Sequence, residues 1–307
     1  MSIHTQTTTL SRRSNWVRRW FGRETLVAWL FILPSLIGFL AFYAVPAVRG
    51  LLISFTDWDL LTAPKPVGLD NYSRLLQDED FWNSLKVTVY YVLLNIPLQT
   101  VLALTIAVMM DRLTRSVVVR GILVLPWLMP NVVVALLWLW LLDPTIGLVN
   151  TGLQAIGLGK LSFLGSVTQA MPSIAGINIW RHMGYTALLL FAGLQAIPKD
   201  VYEASAIDGA SELRTFISIT IPLLRPVLVF VLVTTVIGSF QIFDTVAITT
   251  KGGPVNATEV LNWLIYEHAF ERFRMGYATT ISVVLFIILV GVSLIQMRLL
   301  RAGESDL

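Results

Sequence analysis

Cysteine is absent from the 307 residues, and histidine occurs only three times, at His4, His182 and His268. The first absence excludes disulfides, thiolate metal sites and cysteine nucleophiles. The second leaves no metal-ligand spacing, and neither H-E-x-x-H nor G-x-S-x-G occurs, so a membrane hydrolase has no recognisable catalytic set. Charge is also scarce: 13% of residues are charged against 55% hydrophobic, which places the chain in the membrane class. A phosphate-cradling loop is missing as well. The nearest approach, Gly157-Leu-Gly-Lys-Leu-Ser162, has Gln154 where the first glycine belongs and Leu161 where Ser or Thr should follow the lysine. The chain is therefore expected to bind no nucleotide and no cofactor of its own.

What is present is a series of long apolar runs. Crossing about 30 Å of hydrocarbon takes roughly 20 residues, and residues 25–48, 87–110, 121–142, 226–243 and 275–297 qualify without one charge. A sixth run, 172–195, is interrupted by Arg181 and His182. The expected fold is thus an all-α membrane protein with six transmembrane helices in one domain over 25–297. A basic tail, 1–24, precedes it and a short tail, 298–307, follows.

Positive charge gives the orientation. Arg12, Arg13, Arg18, Arg19 and Arg23 precede the first run against Glu24 alone, which puts the N-terminus in the cytoplasm. Arg112, Arg115 and Arg120 follow the second run, and Arg298 and Arg301 the last, so both termini fall inside. Residues 50–85 face outward, with Lys65 and Arg74 against six acids. The basic N-terminus reads as a topology signal with secondary contact to anionic lipid, not as a nucleic-acid surface.

Polar residues inside membrane helices are costly, and they mark either solute contact or helix pairing. Asn95 and Gln99 share a helical face at i, i+4. Asn178 stands at i, i+3 and i, i+4 from Arg181 and His182, and Ser239, Gln241 and Asp244 lie near the outer end of the fifth run. Such amides and hydroxyls, with Trp180, Tyr185 and Phe240 for sugar faces, suit a hydroxyl-rich solute. Interhelical hydrogen bonding suits the same residues equally. Arg181 should face a wet cavity or an acid, or snorkel outward. No carboxylate falls inside the six runs, Asp244 being peripheral, which disfavours an ion-coupled transporter.

Residues 198–226 form a polar island between two apolar runs. Asp200 is placed to cap a short helix, with Glu203 closing a capping box. Gly209 suits a turn needing positive φ, and Pro222 and Pro226 are expected to end a second helix. Glu203, Asp208, Glu212, Arg214 and Arg225 give this helix–turn–helix a charged face.

The island resembles the EAA loop of ABC importer permeases of the carbohydrate-uptake branch. Glu203, Ala204, Ser205, Gly209, Ala210, Phe216, Ile219, Pro222 and Pro226 occupy the pattern's places, with Ser205 where a second alanine is usual. Ala192-Gly-Leu-Gln-Ala-Ile-Pro198 before it, and Phe240–Asp244 with Thr250–Pro254 after it, extend the likeness. The resemblance implies a permease subunit moving a sugar or sugar-like solute by alternating access in a bacterial or archaeal inner membrane. It implies a second homologous permease, two ATPase subunits holding ATP and Mg, and an external solute-binding protein. Glu203 would pair with a basic residue of the ATPase, and Gly209 would supply the bend. Ala204 and Ala210 would allow close helix approach, Phe216 would plug the apolar side, and Asp208 and Pro222 would complete the coupling surface.

Overall fold

The computed structural model describes residues 23–113 and 116–300, so most of both expected tails lies outside the described residues. The chain forms two units, residues 1–52 and 53–307. In the first, α1 (Arg23–Phe39) passes through a π turn, Leu40–Ala44, into a further helical stretch, Val45–Ile53. Its apolar window has no buried residue within the structure, and Leu30, Phe31 and Phe42 are exposed. An apolar surface of that kind belongs in lipid or against another chain.

The second unit begins with a small antiparallel ribbon, β1 (Thr56–Asp57) with β2 (Lys65–Pro66), so the fold is not wholly helical. Then come α2 (Asp70–Gln77), α3 (Glu79–Leu113), α4 (Val117–Leu128), α5 (Asn131–Leu141), α6 (Leu148–Ala155) and α7 (Ala170–Gln195). After these run α8 (Lys199–Ile207), α9 (Glu212–Thr215), a π turn over Phe216–Thr220, α10 (Ile221–Phe240), α11 (Asp244–Thr249), α12 (Leu261–Tyr266) and α13 (Met275–Leu299). By length and composition, four helices in the described residues can cross a membrane, or five if the bent pair α4–α5 counts as one. The expected 172–195 run is one continuous 26-residue helix, α7, but Arg181 and His182 dilute its hydropathy.

The run expected as a single helix over 121–142 is two helices bent by 94°. Pro130 explains the break. It lacks an N–H, and it forces Met129 into extended conformation at ψ 141°. Conversely, Pro222 and Pro226 do not end a helix: Pro222 sits in the first turn of α10 and Pro226 inside it. The π turn just before Pro222 has already displaced the backbone bonding register, so the missing donor falls near a bond already disturbed.

The long helices α3, α7 and α10 pack on one another, and two apolar layers bound them. One layer joins Tyr91, Val92, Met171, Ile174, Val236 and Phe240 to the elements α11 to α13. The other joins Ala103, Ala107, Ala187, Leu190, Leu224 and Val231. Burying such side chains is worth about 1.5–3 kcal/mol for each large aliphatic. Between the layers the same three helices carry polar side chains. Helix α4 crosses α7 at Gly184, where an added Cβ would lie 1.7 Å from the Leu123 carbonyl oxygen. Only glycine permits that approach.

Candidate functional site

The polar layer encloses a cavity of about 250 Å³. Asn95, Gln99, Asn178, Arg181, Ser239, Gln241 and Asp244, seven residues from three regions of sequence, all line it. Asn95 and Gln99 are buried, at 3% and 4% exposure, and belong to one chain of hydrogen bonds. Asn95 Nδ2 donates to Gln99 Oε1 at 3.2 Å and to Ser239 Oγ at 3.1 Å. Gln99 Nε2 donates onward to Thr186 Oγ1 at 3.0 Å. Asn178 accepts from Thr245 Oγ1 at 3.2 Å through its side-chain oxygen. These contacts link α3, α7, α10 and α11, so the helix-pairing role and the cavity-lining role fall on the same side chains.

Arg181 meets the cavity, which it shares with Asp244, and the broken segment. Its Nη2 donates to the carbonyls of Met129 at 3.0 Å and Trp127 at 3.3 Å. Those carbonyls belong to the end of α4, where a helix leaves acceptors without intrahelical donors. Its Nη1 lies 2.9 Å from His182 Nε2, while His182 Nδ1 lies 2.8 Å from the Asn178 carbonyl oxygen. A carbonyl only accepts and a guanidinium only donates, so His182 is the neutral imidazole with its proton on Nδ1.

Asp244 opens α11 just beyond the end of α10, its carboxylate accepts a hydrogen bond from Asn131 Nδ2, and both residues line the cavity. Asn131 was not singled out from sequence, nor was Trp127, which stacks on Tyr185 at 4.3 Å beside the cavity. The Met129-Pro130 dipeptide was the available signal, because it breaks the helix and turns both neighbours inward. Of the three aromatics expected from sequence, Tyr185 lines the cavity. Trp180 instead packs edge-on against Trp138 at 5.5 Å, and Phe240 lies in the apolar core. Adjacent residues on a helix point about 100° apart, which separates Trp180 from Arg181.

The 198–226 island is a helix–turn–helix of defined geometry. Helix α8 starts on Pro198 with no side-chain cap, so Asp200 stands in the first turn and no capping box forms. Gly209 has φ +73°. Gly209 N–H donates to Ala206 O and Ala210 N–H to Ser205 O, each at 3.1 Å, the paired bonds of a Schellman ending. Ser211 then caps α9 through the Arg214 N–H at 3.4 Å. Ser205 is buried and bonds Thr215 Oγ1 at 2.7 Å, tying the two helices together. Glu203, Ala204 and Asp208 are exposed, as are the apolar Ile207, Leu213 and Ile217. Ala210 and Phe216 are half-buried, and Pro222 is exposed. Phe216 lines a small recess with Tyr202, Leu194 and Asp111 at the end of α3. Arg112 on α3 pairs with Glu212 at 2.5 Å, and Gln195 Nε2 donates to Asp111 at 2.9 Å.

Residues 99–302 match the family described as binding-protein-dependent transport system inner membrane component. The chain belongs to that family. It is 35% identical over 291 residues to a probable ABC transporter permease protein, YurN, of Bacillus subtilis, covering 93% of this chain and 99% of the relative. It is 34% identical over 281 residues to the trehalose/maltose transport system permease protein MalF of Thermococcus litoralis, covering 91% and 95%. Among solved structures, a bacterial ABC transporter involved in import of the acidic polysaccharide alginate superposes with a TM-score of 0.82 at 24% identity, over 94% of this chain and 100% of that one. This family member is thus an inner-membrane transport component with several membrane-spanning helices.

Proposed function

We propose that the chain is one of two permease subunits of an ATP-driven importer for a sugar or sugar-like solute. The observation that carries this reading is the polar cavity walled by α3, α7 and α10, held between two apolar layers. Amides and hydroxyls there suit a hydroxyl-rich solute, and stacked Trp127 and Tyr185 offer an aromatic surface for a sugar ring. The trehalose/maltose relative supports the solute class.

In this reading six helices cross the membrane: α1, α3, the bent α4–α5 pair, α7, the run through α10 and α13. The N- and C-termini and the 198–226 loop face the cytoplasm, as the arginine distribution supports. ATP and Mg bind the partner ATPases and this chain holds no cofactor. Glu203, Asp208 and the exposed Ile207 and Leu213 meet the ATPase, while Gly209 fixes the turn and Ala204 admits a close partner. A second, homologous permease completes the path, and an external solute-binding protein delivers to its outer mouth. Closure of the ATPases on ATP moves the loop, and Arg112–Glu212 passes the movement to α3, whose Asn95 and Gln99 line the cavity.

Affinity purification of the tagged chain from its native cell, with mass spectrometry of its companions, tests this. A second permease and an ATPase with a phosphate-binding loop are expected. A chain recovered alone after crosslinking would sink the reading.

A further inference from the structure

We infer that the cavity takes an uncharged polyhydroxyl solute and discriminates against anionic sugars. The inference rests on the reading of the cavity as the solute path and narrows its solute class.

The charges lining the cavity cancel. Arg181 supplies one positive charge, Asp244 one negative charge, and His182 is neutral by its hydrogen-bond partners. Arg181 is, moreover, not presented as an anion ligand. Binding a carboxylate or phosphate needs the paired N–H groups of its fork. Here Nη2 serves two backbone carbonyls and Nη1 faces the His182 ring, which leaves the buried Nε–H as a single donor without a partner among the described residues, not a free pair. Taking an anion on the fork would release the Trp127 and Met129 carbonyls at the helix break.

The remaining lining offers both donors and acceptors, among them the Gln241 amide, the Tyr185 hydroxyl and the Asp244 carboxylate. Asp244 accepts from Asn131 and has further lone pairs. A hydroxyl donates to such atoms. A carboxylate cannot donate, and it would meet the like charge of Asp244. The Gln99 and Asn131 amides each spend one of their two N–H groups within the protein, so neither offers a free pair to an oxyanion.

The test uses the complete transporter, with its companion permease, ATPase and solute-binding protein, in ATP-loaded proteoliposomes. The probes are radiolabelled neutral mono-, di- and trisaccharides and their matched uronates and 6-phosphates. A neutral sugar should be the best-transported probe, with every anionic counterpart at least tenfold slower. An anionic sugar as the best probe overturns the inference while leaving the sugar-importer reading intact. No ATP-dependent uptake of any carbohydrate overturns both.

Two variants locate the discrimination in this chain. Asp244→Asn should raise inhibition by the matched uronate at least fivefold, and an unchanged inhibition would count against the inference. Arg181→Gln should lower the maximal rate for the neutral sugar with its half-saturating concentration within threefold. A tenfold rise in that concentration would make Arg181 a solute ligand and overturn the assignment.

Discussion

Arg181 Nη2 stands 3.0 Å from the backbone carbonyl oxygen of Met129, and this bond crosses from the middle of α7 to the corner between α4 and α5. A corner of 94° in apolar surroundings exposes backbone acceptors that no lipid can satisfy. The guanidinium satisfies two of them from one side chain. The charge needed at the corner is thereby the same charge that lines the cavity.

Replacing it tests that link. Arg181→Met keeps the length and removes the donors, leaving acceptors whose burial costs about 1–3 kcal/mol each. The native chain has no cysteine, so spin labels placed through Leu125→Cys and Leu136→Cys report the corner alone. The distance distribution between them should broaden in Arg181→Met and stay narrow in the parent. An unchanged distribution would mean Pro130 alone fixes the bend.

The contact of α4 with α7 makes a sharper steric prediction. An added Cβ at Gly184 would meet the Leu123 carbonyl at 1.7 Å, which is backbone and has no rotamer to escape into. Overpacking typically costs about 1–3 kcal/mol. Gly184→Ala should therefore lower the melting temperature of the detergent-solubilised chain, and Gly184→Leu should abolish its accumulation. Parent-like stability of Gly184→Ala would show that α4 can slide.

These two positions also mark where the sequence was readable. The seven polar positions expected at the solute path stand out because amides and charges are costly among apolar residues, and the cavity gathers all seven. Proline departs from expectation in both directions: Pro130 breaks the run expected as one helix, whereas Pro222 and Pro226 sit within one. The difference lies in local bonding, since a π turn precedes Pro222 and an extended Met129 precedes Pro130. Residue spacing alone carries neither fact. The aromatic wall was equally hidden, because Trp127 reaches Tyr185 only through the corner. In the 198–226 island the turn at Gly209 was legible from glycine's freedom at positive φ, but the capping box was not formed.

Ser205 gives the third prediction. Ser205 stands where a second alanine is usual, and its hydroxyl bridges α8 to Thr215 at 2.7 Å. Ser205→Ala leaves the Thr215 hydroxyl without that partner, a loss of about 1 kcal/mol. Hydrogen exchange should speed up across residues 199–215 and remain unchanged along α13. If protection of the island is unaffected, the Schellman turn by itself holds the two helices.

The coupling role proposed for Glu203 makes the fourth prediction. It is exposed and forms no ion pair among the described residues, so its removal leaves the island's own contacts intact. In the assembled transporter, Glu203→Ala should cut solute uptake at least tenfold while the subunits still co-purify. Uptake at the parent rate would remove Glu203 from the coupling surface.

The segment around Glu259 and His268 carries a pH dependence whose two parts oppose each other. Burial, then the neighbouring Asp80 and Glu267, push the Glu259 carboxyl up to about 7, with Asn83 and Arg272 acting in the other direction. Burial, then Arg272, lower His268 to about 4, against the pull of Asp78. For Glu259 the folded protein holds its proton more tightly than the unfolded chain, so this contribution is fully present below the ordinary carboxylate range and is lost as pH rises towards about 7. For His268 the unfolded chain binds the proton more tightly, so stability is lost as pH falls from its ordinary value of 6.5 towards about 4. Glu259→Gln keeps the shape and removes only the first part. Melting curves of the purified chain between pH 5 and 7.5, in steps of about half a unit set against these shifted values, should show the variant gaining stability relative to the parent as pH rises. At the acid end both proteins should lose stability alike, because His268 is unchanged. Parallel curves across the whole range would mean that Glu259 ionises in the folded protein at its ordinary pH.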